Sequence, residues 1–159
     1  MTQSATIVGA PDQAMDALPQ ARLPVRVLHV EDSQTYAALV RAYILNAQPQ
    51  ATFDTVHQLS DITPERAKAA DCAILDLGLP DASGLEALVV LRAMAPKLPI
   101  IVLTGFDDLS LGMDALREGA EEYLVKDKID GQALTRAIAH AVVRRRLTVA
   151  LLLAAQTGP

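Results

Sequence analysis

The chain has 159 residues, enough for one domain with a hydrophobic core of its own. Hydrophobic residues make up 51% and charged residues 21%, which excludes a disordered chain, and a net charge of −5 argues against non-specific binding to nucleic acid. We expect no membrane span, because the longest apolar stretch near the C-terminus, residues 147–155, is too short to cross a bilayer.

Residues 1–24 are rich in Ala, Gln, Asp and Pro and lack a clear hydrophobic period, so we interpret them as a mobile leader with a helical turn near 12–18. The folded domain is predicted over 25–146, and 147–159 are interpreted as an extension of the last helix and a tail.

Cys72 is the only cysteine, so no internal disulfide can form. We interpret it as a core residue, and a cytoplasmic setting fits.

From Val25 onward, short apolar runs alternate with segments of helical spacing. The runs at 25–30, 51–56, 72–75, 99–103 and 121–125 predict five strands. Helices are predicted at 36–44, 58–70, 85–94, 107–118 and 130–155, with Pro64 as a possible second start inside the second one. Nearly all-apolar central strands indicate a parallel sheet covered by helices on both faces, which is an α/β sandwich of three layers.

Polar residues stand where the apolar runs stop. They are Glu31, Asp32, Asp76, Thr104 and Lys126. Ligands of open parallel sheets bind beyond the carboxyl ends of the strands, so we expect these side chains to meet at one edge. If the strand order is 2-1-3-4-5, Asp32 and Asp76 face each other across the point where the chain order reverses.

Clustered carboxylates repel one another unless a cation lies among them, and hard oxygen ligands favour Mg²⁺. The backbone carbonyl of Gly78 could supply a further oxygen. Asp76 is then the candidate nucleophile toward phosphorus, since a carboxylate can form an acyl phosphate. The metal and the ammonium of Lys126 would neutralise the charge on the transferred group, and the Thr104 hydroxyl could donate a hydrogen bond to it.

Four stretches together resemble the receiver domain of two-component response regulators, over about residues 25–146. They are Val30-Glu31-Asp32-Ser33, Leu75 to Asp81, Val102-Leu103-Thr104-Gly105 and Tyr123-Leu124-Val125-Lys126. The resemblance implies a flavodoxin-like (βα)5 fold with strand order 2-1-3-4-5. It also implies that a histidine kinase or phosphotransfer protein phosphorylates Asp76, that Glu31 and Asp32 hold Mg²⁺, and that Lys126 and Thr104 contact the phosphoryl group.

The resemblance also implies a switch. Tyr123 matches an aromatic residue whose ring turns inward when Thr104 moves toward the phosphate. The surface of the fourth helix, fifth strand and fifth helix would then present a changed face to a downstream protein. One departure from the family pattern is Asp127, which stands where a proline usually follows the lysine, so we expect a trans bond there.

We interpret the chain as a single-domain response regulator that catalyses its own phosphorylation and dephosphorylation without being a turnover enzyme. One alternative is a receiver cut from a multidomain regulator. A metal-dependent phosphohydrolase is a weaker alternative, because it needs a second acid two residues after its nucleophile, where this chain has Gly78. No helix-turn-helix pattern follows the domain, so we expect no direct binding of nucleic acid.

Two features lie outside this site. Leu147, Leu151 and Ala154 continue an apolar stripe past the predicted core, which suggests a homodimer through the C-terminal helix or a further domain. The run Arg144-Arg145-Arg146 is the only basic cluster, and we interpret it as a solvated helix face.

Overall fold

The apolar runs form one five-stranded sheet in the computed structural model, which describes residues 25–156. The strands are β1 (Arg26–Val30), β2 (Thr52–Val56), β3 (Cys72–Leu75), β4 (Ile100–Thr104) and β5 (Glu122–Val125). Their order is β2-β1-β3-β4-β5, and all neighbours are parallel. The predicted strand order and α/β class are confirmed. The leader 1–24, its helical turn at 12–18, and residues 157–159 lie outside the described part of the chain.

Five α-helices connect or follow the strands. They are α1 (Gln34–Ala47), α2 (Pro64–Ala69), α3 (Glu86–Met94), α4 (Leu109–Arg117) and α5 (Gly131–Gln156). Ser33 caps α1 by accepting a hydrogen bond from the Tyr36 amide at 3.2 Å, and Asp108 caps α4 in the same way through the Leu111 amide at 3.1 Å. Gly119 follows the end of α4 with φ +99°, a conformation that glycine adopts without strain.

One helix prediction was wrong in its first half. Instead of a continuous helix over 58–70, a 3-10 turn spans Leu59–Asp61 and α2 begins only at Pro64. Proline fits the first position of a helix, where its missing N–H is not needed, but it breaks a helix that has already begun. Thr63 caps the new start by accepting from the Arg66 amide at 3.2 Å.

The core lies on both faces of the sheet because successive strand residues point to opposite sides. Val27, Ile74 and Leu103 belong to one buried cluster, together with side chains of α1 and α5. Leu28, Leu75 and Val102 belong to the other, together with side chains of α2, α3 and α4. The predicted three layers are confirmed. The face of α5 that packs on the sheet is buried, and it carries Leu134, Ile138, Ala141 and Val142. Among the described helices, none has the length and apolar character needed to cross a membrane.

Candidate functional site

The carboxyl ends of four strands lie side by side at one edge of the sheet. The last residues of β1 and β3 pair as Val30 with Leu75, and the ends of β4 and β5 pair as Thr104 with Val125. Side chains that follow these pairs therefore start from adjacent positions. The polar residues at or just after these strand ends are Glu31, Asp32, Asp76, Thr104 and Lys126.

Three carboxylates meet there. Glu31, Asp32 and Asp76 each offer an oxygen, and these oxygens lie within 4.8 Å of one another. Glu31 and Asp76 are buried, with 1% and 5% of their surface exposed, whereas Asp32 is exposed. Two of the carboxylates are therefore buried and the third is exposed to solvent beside them, so a cation arriving from solvent could reach all three. The oxygen-only donor set suits a hard divalent ion.

Lys126 lies between the two buried acids. Its Nζ is 2.8 Å from Glu31 Oε2 and 3.0 Å from Asp76 Oδ2, although Lys126 and Asp76 are 50 residues apart. Three carboxylates facing one ammonium leave an unbalanced negative charge, so the charge of the site also suits a divalent cation.

The described backbone contains no cis peptide bond, which confirms the trans Lys126–Asp127 bond.

Burial and hydrogen bonding act in opposite directions on the two buried acids. Burial raises the pKa of Glu31 to about 7, although Lys126 opposes the shift. Burial would also raise the pKa of Asp76, but hydrogen bonds from the Gly78 amide and from Lys126 outweigh it and hold that pKa below its ordinary value. Of the two buried acids, Asp76 is therefore the one that stays ionised at neutral pH.

Gly78 contacts Asp76 through its backbone. Its amide donates to Asp76 Oδ1 at 3.0 Å, and a Cβ placed at this position would lie 3.6 Å from the same oxygen. The carboxylate is thus held from two sides, with Oδ1 on Gly78 and Oδ2 on Lys126. The Gly78 carbonyl as a metal ligand stays a prediction.

Thr104 and Tyr123 are linked through the loop after β4. Thr104 is 1% exposed, and its hydroxyl is one of the groups that lower the pKa of Asp76. Two residues further on, the carbonyl of Phe106 accepts a hydrogen bond from the Tyr123 hydroxyl at 2.6 Å. The Tyr123 ring packs on α4 at Gly112, where an added Cβ would lie 3.1 Å from the ring. A displacement of the loop would therefore reach Tyr123 directly.

Sequence reasoning missed two residues that contact members of the site. The Lys126 ammonium lies 4.2 Å from the centre of the Tyr36 ring, a cation–π distance. His57 Nδ1 lies 2.9 Å from the backbone carbonyl of Glu31. The position of Tyr36 was predictable, because the first turn of the helix that follows β1 lies close to the carboxyl end of that strand. Nothing in the sequence linked His57 to Glu31.

Comparison with known proteins gives a consistent result. The model of the response regulator receiver domain family matches residues 27–139. Among solved structures, a response regulator receiver domain protein from Clostridium thermocellum has 28% sequence identity and a TM-score of 0.69, over 78% of this chain and 98% of that one.

Curated relatives are longer than the matched region. The regulatory protein LuxO of Vibrio vulnificus (strain YJ016) is 30% identical over 102 residues, which are 61% of this chain and 21% of that protein. The cell cycle response regulator CtrA of Brucella ovis is 31% identical over 121 residues, which are 76% of this chain and 51% of that protein. This chain therefore spans about a fifth to a half of the length of these relatives.

Proposed function

This chain belongs to the response regulator receiver domain family, and on that premise we propose that it accepts a phosphoryl group on Asp76 from a phosphohistidine. The observation that carries the proposal is the 3.0 Å contact of Lys126 Nζ with Asp76 Oδ2, inside a cluster that holds two further carboxylates. The donor would be a histidine kinase or a phosphotransfer protein.

In the proposed reaction, an ionised oxygen of Asp76 attacks phosphorus and forms a P–O bond. The P–N bond of the phosphohistidine breaks, and its electron pair returns to the imidazole of the donor. The low pKa of Asp76 keeps the attacking oxygen unprotonated. Lys126 lies where it can pair with an oxygen of the incoming group, and Thr104 can donate a hydrogen bond to another.

Mg²⁺ is the cofactor that the residues fit. We assign the carboxylates of Glu31, Asp32 and Asp76 as the groups that would hold it, because their oxygens lie within 4.8 Å of one another. The Gly78 carbonyl is proposed as a further oxygen ligand. When bound, the ion supplies positive charge that offsets the negative charge on the transferred oxygens. Dependence on Mg²⁺ is part of the proposal.

The response would travel through the contacts of Thr104 and Tyr123. A hydrogen bond from Thr104 to the phosphoryl group would draw the loop before Phe106 toward Asp76. The Tyr123 hydroxyl donates a hydrogen bond to the Phe106 carbonyl, and the Tyr123 ring packs on Gly112 of α4. The ring and α4 would therefore shift with the loop. The face of α4, β5 and α5 would then bind a downstream protein differently, provided that the phosphorylated form favours one conformation.

We propose the chain as a single-domain regulator that modifies itself and does not turn over a substrate. The alternative is the receiver part of a multidomain regulator, since the matched region makes up 21% of LuxO and 51% of CtrA. Activities that reside elsewhere in such relatives are not assigned to this chain. A cytoplasmic setting remains a prediction.

The test is incubation with acetyl phosphate and Mg²⁺, followed by intact mass measurement. We expect the wild type to gain the mass of one phosphoryl group and Asp76→Asn to gain none. Asp81→Asn is the matched control, because the Asp81 carboxylate is engaged elsewhere, by the amides of Leu59 at 2.7 Å and Ser60 at 2.9 Å. Equal gains in wild type and Asp76→Asn would reject Asp76 as the acceptor.

A further inference from the structure

A cleft of about 410 Å³ lies at the edge of the sheet opposite the acidic site. It is bounded by the segment that leads from α2 into β3, by the segment that leads from α3 into β4, and by α5. Because the strands are parallel, these segments enter at the amino ends of the strands, away from Asp76. The volume is in the range of pockets that bind small molecules, about 300–1,000 Å³.

The inner walls of the cleft are apolar. They include Ala67 and Met94 from the helices on one face of the sheet, Val142 from α5 on the other face, and Leu98 and Pro99 between them. Four of these residues are buried, and Met94 is half-buried. A ligand that enters this cleft therefore meets hydrocarbon on both sides and gains from leaving water.

The rim of the cleft is cationic. Lys68, Lys97, Arg145 and Arg146 line it, and Asp71 is the one acid among its lining residues. The Asp71 carboxylate is already engaged, because its Oδ2 accepts from the Arg26 amide at 2.8 Å. Four cationic residues and one acidic residue line the cleft, so its net charge is positive and it attracts an anion.

The three arginines of the basic run have different surroundings. Arg144 is exposed and lies 3.6 Å from Glu121 and 3.9 Å from Glu122, outside the cleft. Arg145 and Arg146 are half-buried and line the cleft, so the predicted solvated face was wrong for these two. The same helix therefore offers a control arginine beside the two that line the cleft.

Arg146 provides the most specific observation. Its Nη1 is buried and has no hydrogen-bond partner among residues 25–156. A buried guanidinium nitrogen without an acceptor is unfavourable, and a carboxylate or phosphate is the acceptor that a guanidinium binds best. Arg145 has no ion pair among residues 25–156. Its charge lowers the pKa of Arg92, although burial of Arg92 has the larger effect and Glu121 acts in the opposite direction.

We propose that this cleft binds a small organic anion, with a carboxylate or phosphate on Arg145 and Arg146 and an apolar body of aromatic size between the walls. A neutral apolar ligand would leave the cations without partners, and an inorganic anion would leave the walls in contact with water. The ligand would contact α5 at the point where that helix leaves the core. This site is separate from Asp76 and does not depend on the proposed phosphorylation.

The experiment is a titration of the ¹⁵N-labelled full chain, followed by amide chemical shifts. The probes are 2-naphthoate, 2-naphthyl phosphate, neutral 2-naphthamide and inorganic phosphate. We expect at least one naphthyl anion to give saturable shifts at Lys68, Leu98 and Arg145, and the tighter of the two identifies the preferred anionic group. The amide and inorganic phosphate are expected to bind at least about tenfold more weakly, since each lacks half of the interaction.

Variants of the arginine run make the test specific. Arg146→Gln and Arg145→Gln are each expected to lower the affinity for the naphthyl anion by about tenfold, and Arg144→Gln to leave it unchanged. The ¹⁵N spectrum of each variant reports whether it is folded. Shifts confined to residues 147–156, equal binding of the neutral amide, or equal affinities for Arg146→Gln and Arg144→Gln would overturn the proposal.

Discussion

Lys126 is the residue on which the charge balance of the acidic site depends. Its side chain is 16% exposed and pairs with side chains of Glu31 and Asp76 that are 1% and 7% exposed. The two carboxylates outweigh the effect of burial and raise the pKa of Lys126. Removing the ammonium would leave two buried acids facing each other, a costly arrangement unless one of them takes up a proton.

We therefore predict that Lys126→Met lowers the free energy of unfolding in EDTA by about 2 kcal/mol. The loss is below the usual 3–5 kcal/mol for a broken buried pair because Glu31, with a pKa of about 7, can be protonated. Mg²⁺ is expected to stabilise the variant more than the wild type, since it replaces the missing positive charge. Urea unfolding with and without Mg²⁺ measures both effects.

Lys128→Met is the control for this prediction. Lys128 forms a 2.6 Å ion pair with Asp107, but both side chains are more than half exposed. Such a surface pair contributes about 0–1 kcal/mol, so we expect little change in stability and no added response to Mg²⁺. Equal losses in Lys126→Met and Lys128→Met would contradict the central role of Lys126.

Cys72 gives a prediction about pH. The thiol is fully buried in β3, and burial raises its pKa from 9.0 to about 12, with a smaller contribution from Asp71. Between these two values the unfolded chain loses the thiol proton while the folded chain keeps it, so stability falls as pH rises above about 9, by up to about 1.4 kcal/mol per pH unit from this group. Well below pH 9 the thiol is protonated in both states, so the group has no effect there.

Unfolding of the wild type and Cys72→Ala at pH 8 and pH 10 measures this linkage. We expect the stability difference between the two proteins to change in the direction that favours Cys72→Ala at the higher pH. We also expect iodoacetamide to leave the native thiol unmodified at pH 8. Parallel stability curves, or rapid native labelling, would show that Cys72 is accessible.

At the scale of single elements, α5 contains two segments with different surroundings. Its first part contributes Leu134, Ile138 and Val142 to the core. Beyond the arginine run the helix carries large exposed apolar side chains, with Leu147 54%, Leu151 71% and Leu152 56% exposed. A helix segment that is apolar on all sides is usually buried in an assembly, and a second copy of the same segment is a matching partner.

We predict that the chain self-associates through this segment. Leu151→Glu is expected to shift the mass measured by light scattering from two chains toward one, because a charge would have to be buried between the helices. Val89→Glu is the control, since Val89 on α3 is 48% exposed and lies outside the segment. A wild-type mass of one chain, or the same mass shift in Val89→Glu, would refute self-association through α5.

Elements were predictable where the local sequence decides them. The apolar runs located all five strands. Ser33 and Pro64 each mark the start of a helix, and Gly119 marks the end of one. The helix predicted over 58–70 begins only at Pro64, because Thr63 caps a new helix start and a proline breaks a helix that began earlier. Helix ends depend on single caps, so periodicity alone does not fix them.

At the scale of the whole molecule, the sheet edge was predictable and its finer contacts were not. Four apolar strands that each end in a polar residue predict the meeting of Asp76 with Lys126, because parallel strands bring their carboxyl ends together. The strand order itself came from the family resemblance. The exposure of Arg145 and Arg146 depends on which loops pack beside α5, and no local pattern in the sequence reports that packing.

The central claim is that remote residues form one site that makes Asp76 the phosphoryl acceptor. Borohydride reduces an acyl phosphate to an alcohol, so treatment after phosphorylation converts the modified aspartate to homoserine, which peptide sequencing by mass spectrometry locates. We predict homoserine at position 76 when Mg²⁺ is present and none when EDTA replaces it. Homoserine at another aspartate, or at position 76 equally with and without Mg²⁺, would contradict the claim.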